Sequence, residues 1–307
     1  MLERLTPAPG RGAVLAAGAV VLTTFAILLD VRCAHNWAVG WRLLLFGAIA
    51  LLIAVMAERS PMPQDTPMPY HQTLQVAAIV LGGLALLNLA DLLGASGQFG
   101  GNGEITWVGA VLAVVALRWA QRTNSAVMTL TAALIGVFTL LTFVAWVFAP
   151  HGAQTFRWLL LLEALGLTLG AVWLRDRARR HAVALVDVAG LSVFFLGATV
   201  AVQSIITTVL VRLRGNALVG SPSSHPVGWA LVVLAFGFGL IAYGTVDRER
   251  VPPFLGIVLL VLFLVIAGIG ATTFVGWPLV LLIMAVVLLA IGLRPRDELP
   301  PEPPVHE

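Results

Sequence analysis

The sequence contains no lysine; all 18 of its basic residues are arginines. That excludes chemistry that needs an ε-amine: a retinal or pyridoxal Schiff base, or the phosphate-gripping lysine of a P-loop. Cys33 is the one cysteine, so an intrachain disulfide and any CxxC site are excluded too. Charge of either sign is scarce, at 11% of residues, against about 25% in soluble domains. No Ser-His-Asp, HExxH, GxSxG or glycine-rich phosphate loop occurs. An enzyme is therefore the least favoured class, and no cofactor is expected.

What the chain has instead is hydrocarbon. Of 307 residues 59% are hydrophobic, and the mean hydropathy is +0.97. This composition specifies an all-α integral membrane protein, a bundle of about ten transmembrane helices. The spans read as residues 13–30, 38–57, 74–94, 105–121, 126–149, 157–174, 183–211, 227–246, 254–271 and 276–293. Residues 1–293 then form a single polytopic domain. Residues 294–307 read as a proline-rich, acidic, disordered cytoplasmic tail. The proline-rich loop Glu58–Thr73 should be extended. Arg4 and Arg11 precede the first apolar run, but no small-x-small cleavage pattern closes it, so an uncleaved first span is expected.

Arginine placement orients the bundle. Arg175, Arg177, Arg179 and Arg180 crowd one short loop, and short basic loops stay in the cytoplasm. Ten alternating spans then put thirteen arginines inside and five outside, with both termini cytoplasmic, in the inner (plasma) membrane. The basic loop suits anionic lipid headgroups, and nothing suggests nucleic acid. Trp37, Trp41, Trp107, Trp146, Trp158, Trp229 and Trp277 fall at outer helix ends, Trp119 and Trp173 at inner ends, as an aromatic belt requires.

Trp41-Arg42-Leu-Leu-Leu near the start of the second span is echoed by Phe156-Arg157-Trp-Leu-Leu in the sixth. A shift of 115 residues lays Arg42 on Arg157, Gly82 on Gly197 and Asn88 on Gln203. The implied unit is a parallel four-helix repeat, spans 2–5 followed by spans 6–9. Ten spans with both ends inside is similar in gross topology to the drug/metabolite exporter superfamily. Its repeats are inverted and five-helical, whereas this one is parallel, and none of its motifs occurs here.

Ionisable groups within spans are costly, so each needs a reason. Glu163 sits in Leu-Leu-Leu-Leu-Glu-Ala-Leu. Asn88 and Asp91 share a face at i, i+3, and Gln203 and Ser204 interrupt the seventh span. With Arg42 and Arg157 as counter-charges, these residues outline an outward-facing polar cavity for a cation, a proton or a polar headgroup. The same residues also suit interhelical hydrogen bonding. Asp187 and Arg118 read as interfacial anchors, and all six histidines as residues of loops or the tail, with no metal-ligand spacing. Gly166-Leu-Thr-Leu-Gly170 is a GxxxG packing signal. Two functions remain open: a secondary transporter or small-molecule/ion binder, and a non-catalytic membrane scaffold or subunit with a membrane-protein partner or a second copy of itself. The transporter needs the Glu163 region to be wet and to open to each side in turn; the scaffold predicts few buried charges and an exposed small-residue helix face.

Overall fold

A computed structural model describes residues 12–33, 37–59, 68–94, 101–150, 152–213, 227–249 and 251–270. They form nine helices: α1 (Gly12–Cys33), α2 (Val39–Arg59), α3 (Pro69–Leu92), α4 (Asn102–Thr123), α5 (Ala126–Phe148), α6 (Ala153–Leu174), α7 (Arg179–Leu213), α8 (Val227–Asp247) and α9 (Val251–Gly270). All nine are long and apolar enough to cross a membrane. The protein is a multi-pass, all-helical membrane bundle. The expected tenth span, the proline-rich tail and most of the loop before α3 lie outside the described residues.

Local chemistry sets the helix ends. Asn124 ends α4 in the left-handed conformation, and Ser125 caps α5 by accepting from the Met128 N–H at 3.4 Å. Two residues suffice for this turn because each satisfies orphan backbone groups of one helix. Pro69 opens α3 at a position where a missing N–H is harmless. The helix therefore starts five residues before the expected 74. His71 becomes a buried helical residue, hydrogen-bonded to Gln75 at 3.1 Å. His181 likewise lies in the first turn of α7, so these two histidines are not loop residues.

The packing order repeats. α2 packs on α3, α1 on α3, α3 on α4, and α4 on α5; four helices later α6 packs on α7, α5 on α7, α7 on α8, and α8 on α9. The loosest pair also corresponds, α1 with α2 to α5 with α6, but α3 touches α5 only loosely whereas its counterpart α7 packs closely on α9. A shift of four helices preserves direction across the membrane, so the repeat is parallel. α5 belongs to both sets, closing the first and standing before the second as α1 stands before the first.

α3 and α7 are the central helices. In α7 61% of the apolar span is buried and in α3 50%, against 17% in α1. The two units differ in tightness, and the sequence shows why. Gly190 on α7 admits Leu240 and Leu255, and Gly197 admits Val233 and Leu262; these leucines and the valine come from α8 and α9. The 115-residue shift puts Gln75 where Gly190 stands, and its side chain is fully buried. There Gln75 pairs with His71 of the preceding turn. A hollow of about 450 Å³ remains between α1, α3 and α5, lined by Val20, Thr23, Thr24, Gln72, Val76 and Val127 among others.

Candidate functional site

Six residues were expected to share one outward cavity: Glu163, Asp91, Asn88, Gln203, Arg42 and Arg157. The structure distributes them over four places. Arg42, in the first turn of α2, is buried and donates to the Asp30 carboxylate of α1 at 3.1 Å. Arg157, its repeat counterpart in the first turns of α6, is also buried but reaches α7. There Nε donates to Thr199 Oγ1 at 3.2 Å, and Nη2 donates to the Thr199 carbonyl at 3.2 Å and to Gln203 Oε1. The two units thus fill the same arginine position differently, with an ion pair in one and neutral acceptors in the other.

Asn88 stands at the position of Gln203 in the first unit. It is buried and donates to its own helix, to the Leu84 carbonyl at 2.8 Å, leaving Oδ1 without a partner. Asp91 is half-buried one turn further on. α3 and α6 are not among the packed helix pairs, so Asp91 and Glu163 do not form a shared site.

Glu163 stands apart. Both its carboxylate oxygens are buried, and neither has a hydrogen-bond partner. Arg42 and Arg157, the expected counter-charges, are committed elsewhere. α6 begins at Ala153, four residues before the expected start. That places Glu163 at the middle of the 22-residue helix, about 15 Å from either end at 1.5 Å per residue. It is deeper than the outer-half position the sequence suggests. Neither the hollow between α1, α3 and α5 nor a second of about 670 Å³ along Trp37, Trp41, Leu44, Leu45 and Ala48 is lined by Glu163.

Polar chemistry that the sequence reading passed over gathers at the arginine-rich ends of the helices. Arg175 donates to Asp247 Oδ1 at 2.7 Å, and Arg179 reaches the Asp247 carbonyl and lies 3.9 Å from Glu249. The hydrogen bond and charge of Asp247 hold the exposed Arg175 guanidinium above its ordinary pKa. Arg177 lies over the Trp173 ring, 4.8 Å from its centroid. The basic loop is therefore partly engaged within the protein, with Arg177 and Arg180 on its exposed side. Asp187, expected as an interfacial anchor, is buried, with Oδ1 unpartnered. His181 bridges Thr129 of α5 through Nδ1 and Asn124 through Nε2, tying the α4–α5 turn to α7. No group of three potential metal-ligating side chains occurs among the described residues.

No protein-family model, curated protein or solved structure matches the chain.

Proposed function

We propose that the protein is a membrane carrier or binder of protons or small cations, with Glu163 as the exchanging carboxylate. The observation that carries this reading is the pair of buried, unpartnered oxygens of Glu163. A carboxylate in such surroundings takes up a proton or a cation rather than stand bare. Its position supports the same reading. Transporters built from repeats bind their substrates near the bilayer midplane, at the interface between repeats. Glu163 is at mid-helix on α6, directly after the α5 that both units share. The scaffold alternative predicts few buried charges, whereas Arg42, Arg157, Asp187 and Asp247 are all buried. In this reading the arginine-rich ends face the cytoplasm, and Arg177 and Arg180 contact anionic headgroups.

The test uses full-length protein in liposomes loaded with a pH-sensitive dye, driven by a potassium diffusion potential. Wild-type protein should pass protons above the protein-free background, and Glu163→Gln should fall to that background while keeping its thermal stability in detergent. Equal flux in the two proteins would overturn the assignment.

A further inference from the structure

Three buried polar atoms without partners belong to α7 and α8 near the corner where α8 turns into α9: Asp187 Oδ1, the Tyr243 hydroxyl and Asp247 Oδ2. Gly190 of α7 meets Leu240 of α8 and Leu255 of α9, so this side of α7 is closed by that corner. Asp187 is three residues earlier, hence on the same side of the helix and nearer the arginine-rich end. It is 7% exposed and its Oδ1 has no partner. Tyr243, Asp247 and Glu249 occupy the corner itself. Asp247 is 8% exposed and spends Oδ1 on Arg175 while Oδ2 stays unpartnered. The Tyr243 hydroxyl approaches Asp247 without reaching hydrogen-bond geometry.

The charges around Asp187 decide what it can hold. α5 and α9, which pack on α7, carry no titratable side chain. α6 offers Glu163 and Arg157, the latter engaged by Thr199 and Gln203. Arg175, just past α6, is engaged by Asp247. On its own helix are Arg179, held by the Asp247 carbonyl and Glu249, the exposed Arg180, and His181, held by Thr129 and Asn124. The α8 side presents Tyr243, Asp247, the exposed Arg248 and Glu249. Arg175, Arg179 and His181 are thus committed to other partners, while Arg180 and Arg248 are exposed. A carboxylate that is buried with an oxygen left unpartnered binds a proton rather than stand bare.

The Arg175–Asp247 pair forms the boundary of this corner. Its arginine side chain is 48% exposed and its aspartate 8%, so one partner faces solvent and the other faces inward. The loop after α6 is pinned across the end of α8 by this contact.

We propose that Asp187 is a proton-binding residue loaded from the arginine-rich end, with the Arg175–Asp247 pair as the gate over it. Loading forms one O–H bond on the Asp187 carboxylate at the expense of a hydronium ion or buffer acid, and unloading returns that proton to water or buffer base. No other group is oxidised, reduced or transferred. The site is independent of Glu163.

Infrared difference spectroscopy on the full chain in nanodiscs, stepped in pH and then moved to deuterated buffer, tests both parts. A protonated-carboxyl C=O band should appear in wild-type protein and in Glu163→Gln, and be missing from Asp187→Asn. Asp247→Asn should speed deuterium exchange of that band by about tenfold, the factor by which loss of one charge-assisted hydrogen bond shifts an opening equilibrium. Arg175→Gln removes the same contact from its exposed side and serves if Asp247→Asn does not fold. Identical spectra for wild type and Asp187→Asn would overturn the site. Unchanged exchange in the gate variants would overturn the gate. Loss of flux in Glu163→Gln bears on neither.

Discussion

Two glycines of similar sequence setting should respond to alanine in opposite ways. At Gly190 an added Cβ would lie 2.5 Å from Leu255 Cδ2, 2.8 Å from Leu240 Cδ1 and 3.3 Å from Leu255 Cγ. Carbon atoms rest about 3.5–4.0 Å apart, so two leucine side chains on two helices must both retreat by about 1 Å. Such overpacking costs about 1–3 kcal/mol, and the upper part of that range applies because both neighbours are pinned in the same corner. At Gly166, the first glycine of the GxxxG pattern, an added Cβ meets nothing within 4 Å. There the smaller backbone freedom of alanine should stabilise the helix by about 0.5–1 kcal/mol. Reversible unfolding of each variant in mixed micelles, followed by tryptophan fluorescence, gives both free energies. Gly190→Ala as stable as wild type would refute the close approach of α7, α8 and α9. Gly166→Ala as damaging as Gly190→Ala would show that the GxxxG face is packed after all.

Further outcomes are expected elsewhere. Asp30→Asn leaves the buried Arg42 without its anion and should destabilise by about 1–3 kcal/mol in the same unfolding assay, whereas Asp176→Asn, on an exposed loop residue, should change stability by less than about 0.5 kcal/mol. Ser125→Ala removes the cap of α5 and should lower stability by about 1 kcal/mol, read as a fall in the unfolding midpoint; an unchanged midpoint would deny the cap. Reporter fusions at Gln64, His181 and Glu307 should score cytoplasmic and those at Gly100 and Ser223 external; one clear reversal breaks the ten-span topology.

The spans were legible because hydrocarbon thickness sets a length that composition reveals directly, and nine of them recur as helices. Their starts were less legible. Pro69 looks like part of an extended loop until it is seen at the opening position of α3, and that shift carries His71 into the core. A four-residue extension of α6 likewise moves Glu163 from the outer half to the middle. The repeat was readable from Arg42 and Arg157 because both begin a helix with the same local pattern. Their partners were not, since Asp30, Thr199 and Gln203 come from neighbouring helices. Asp187 was misplaced for a related reason. α7 is apolar nearly all round, as a helix surrounded by others must be, so no polar face in the sequence marks which side its one aspartate meets. The chemistry at the α8–α9 corner depends on residues from α6, α7 and α8, and no short motif joins them.

The double duty of α5 bears on how the molecule can be taken apart. A chain cut between α5 and α6 leaves the second fragment without the helix that lies against α7 as α1 lies against α3. A cut between α4 and α5 removes the partner of α4 instead. Neither fragment set holds two complete units, because there are nine described helices and the units overlap by one. Co-expressed fragments should therefore reassemble only when both are present, whichever side of α5 is severed. Accidental separation of the halves is opposed in the same way, because one helix cannot be in two places.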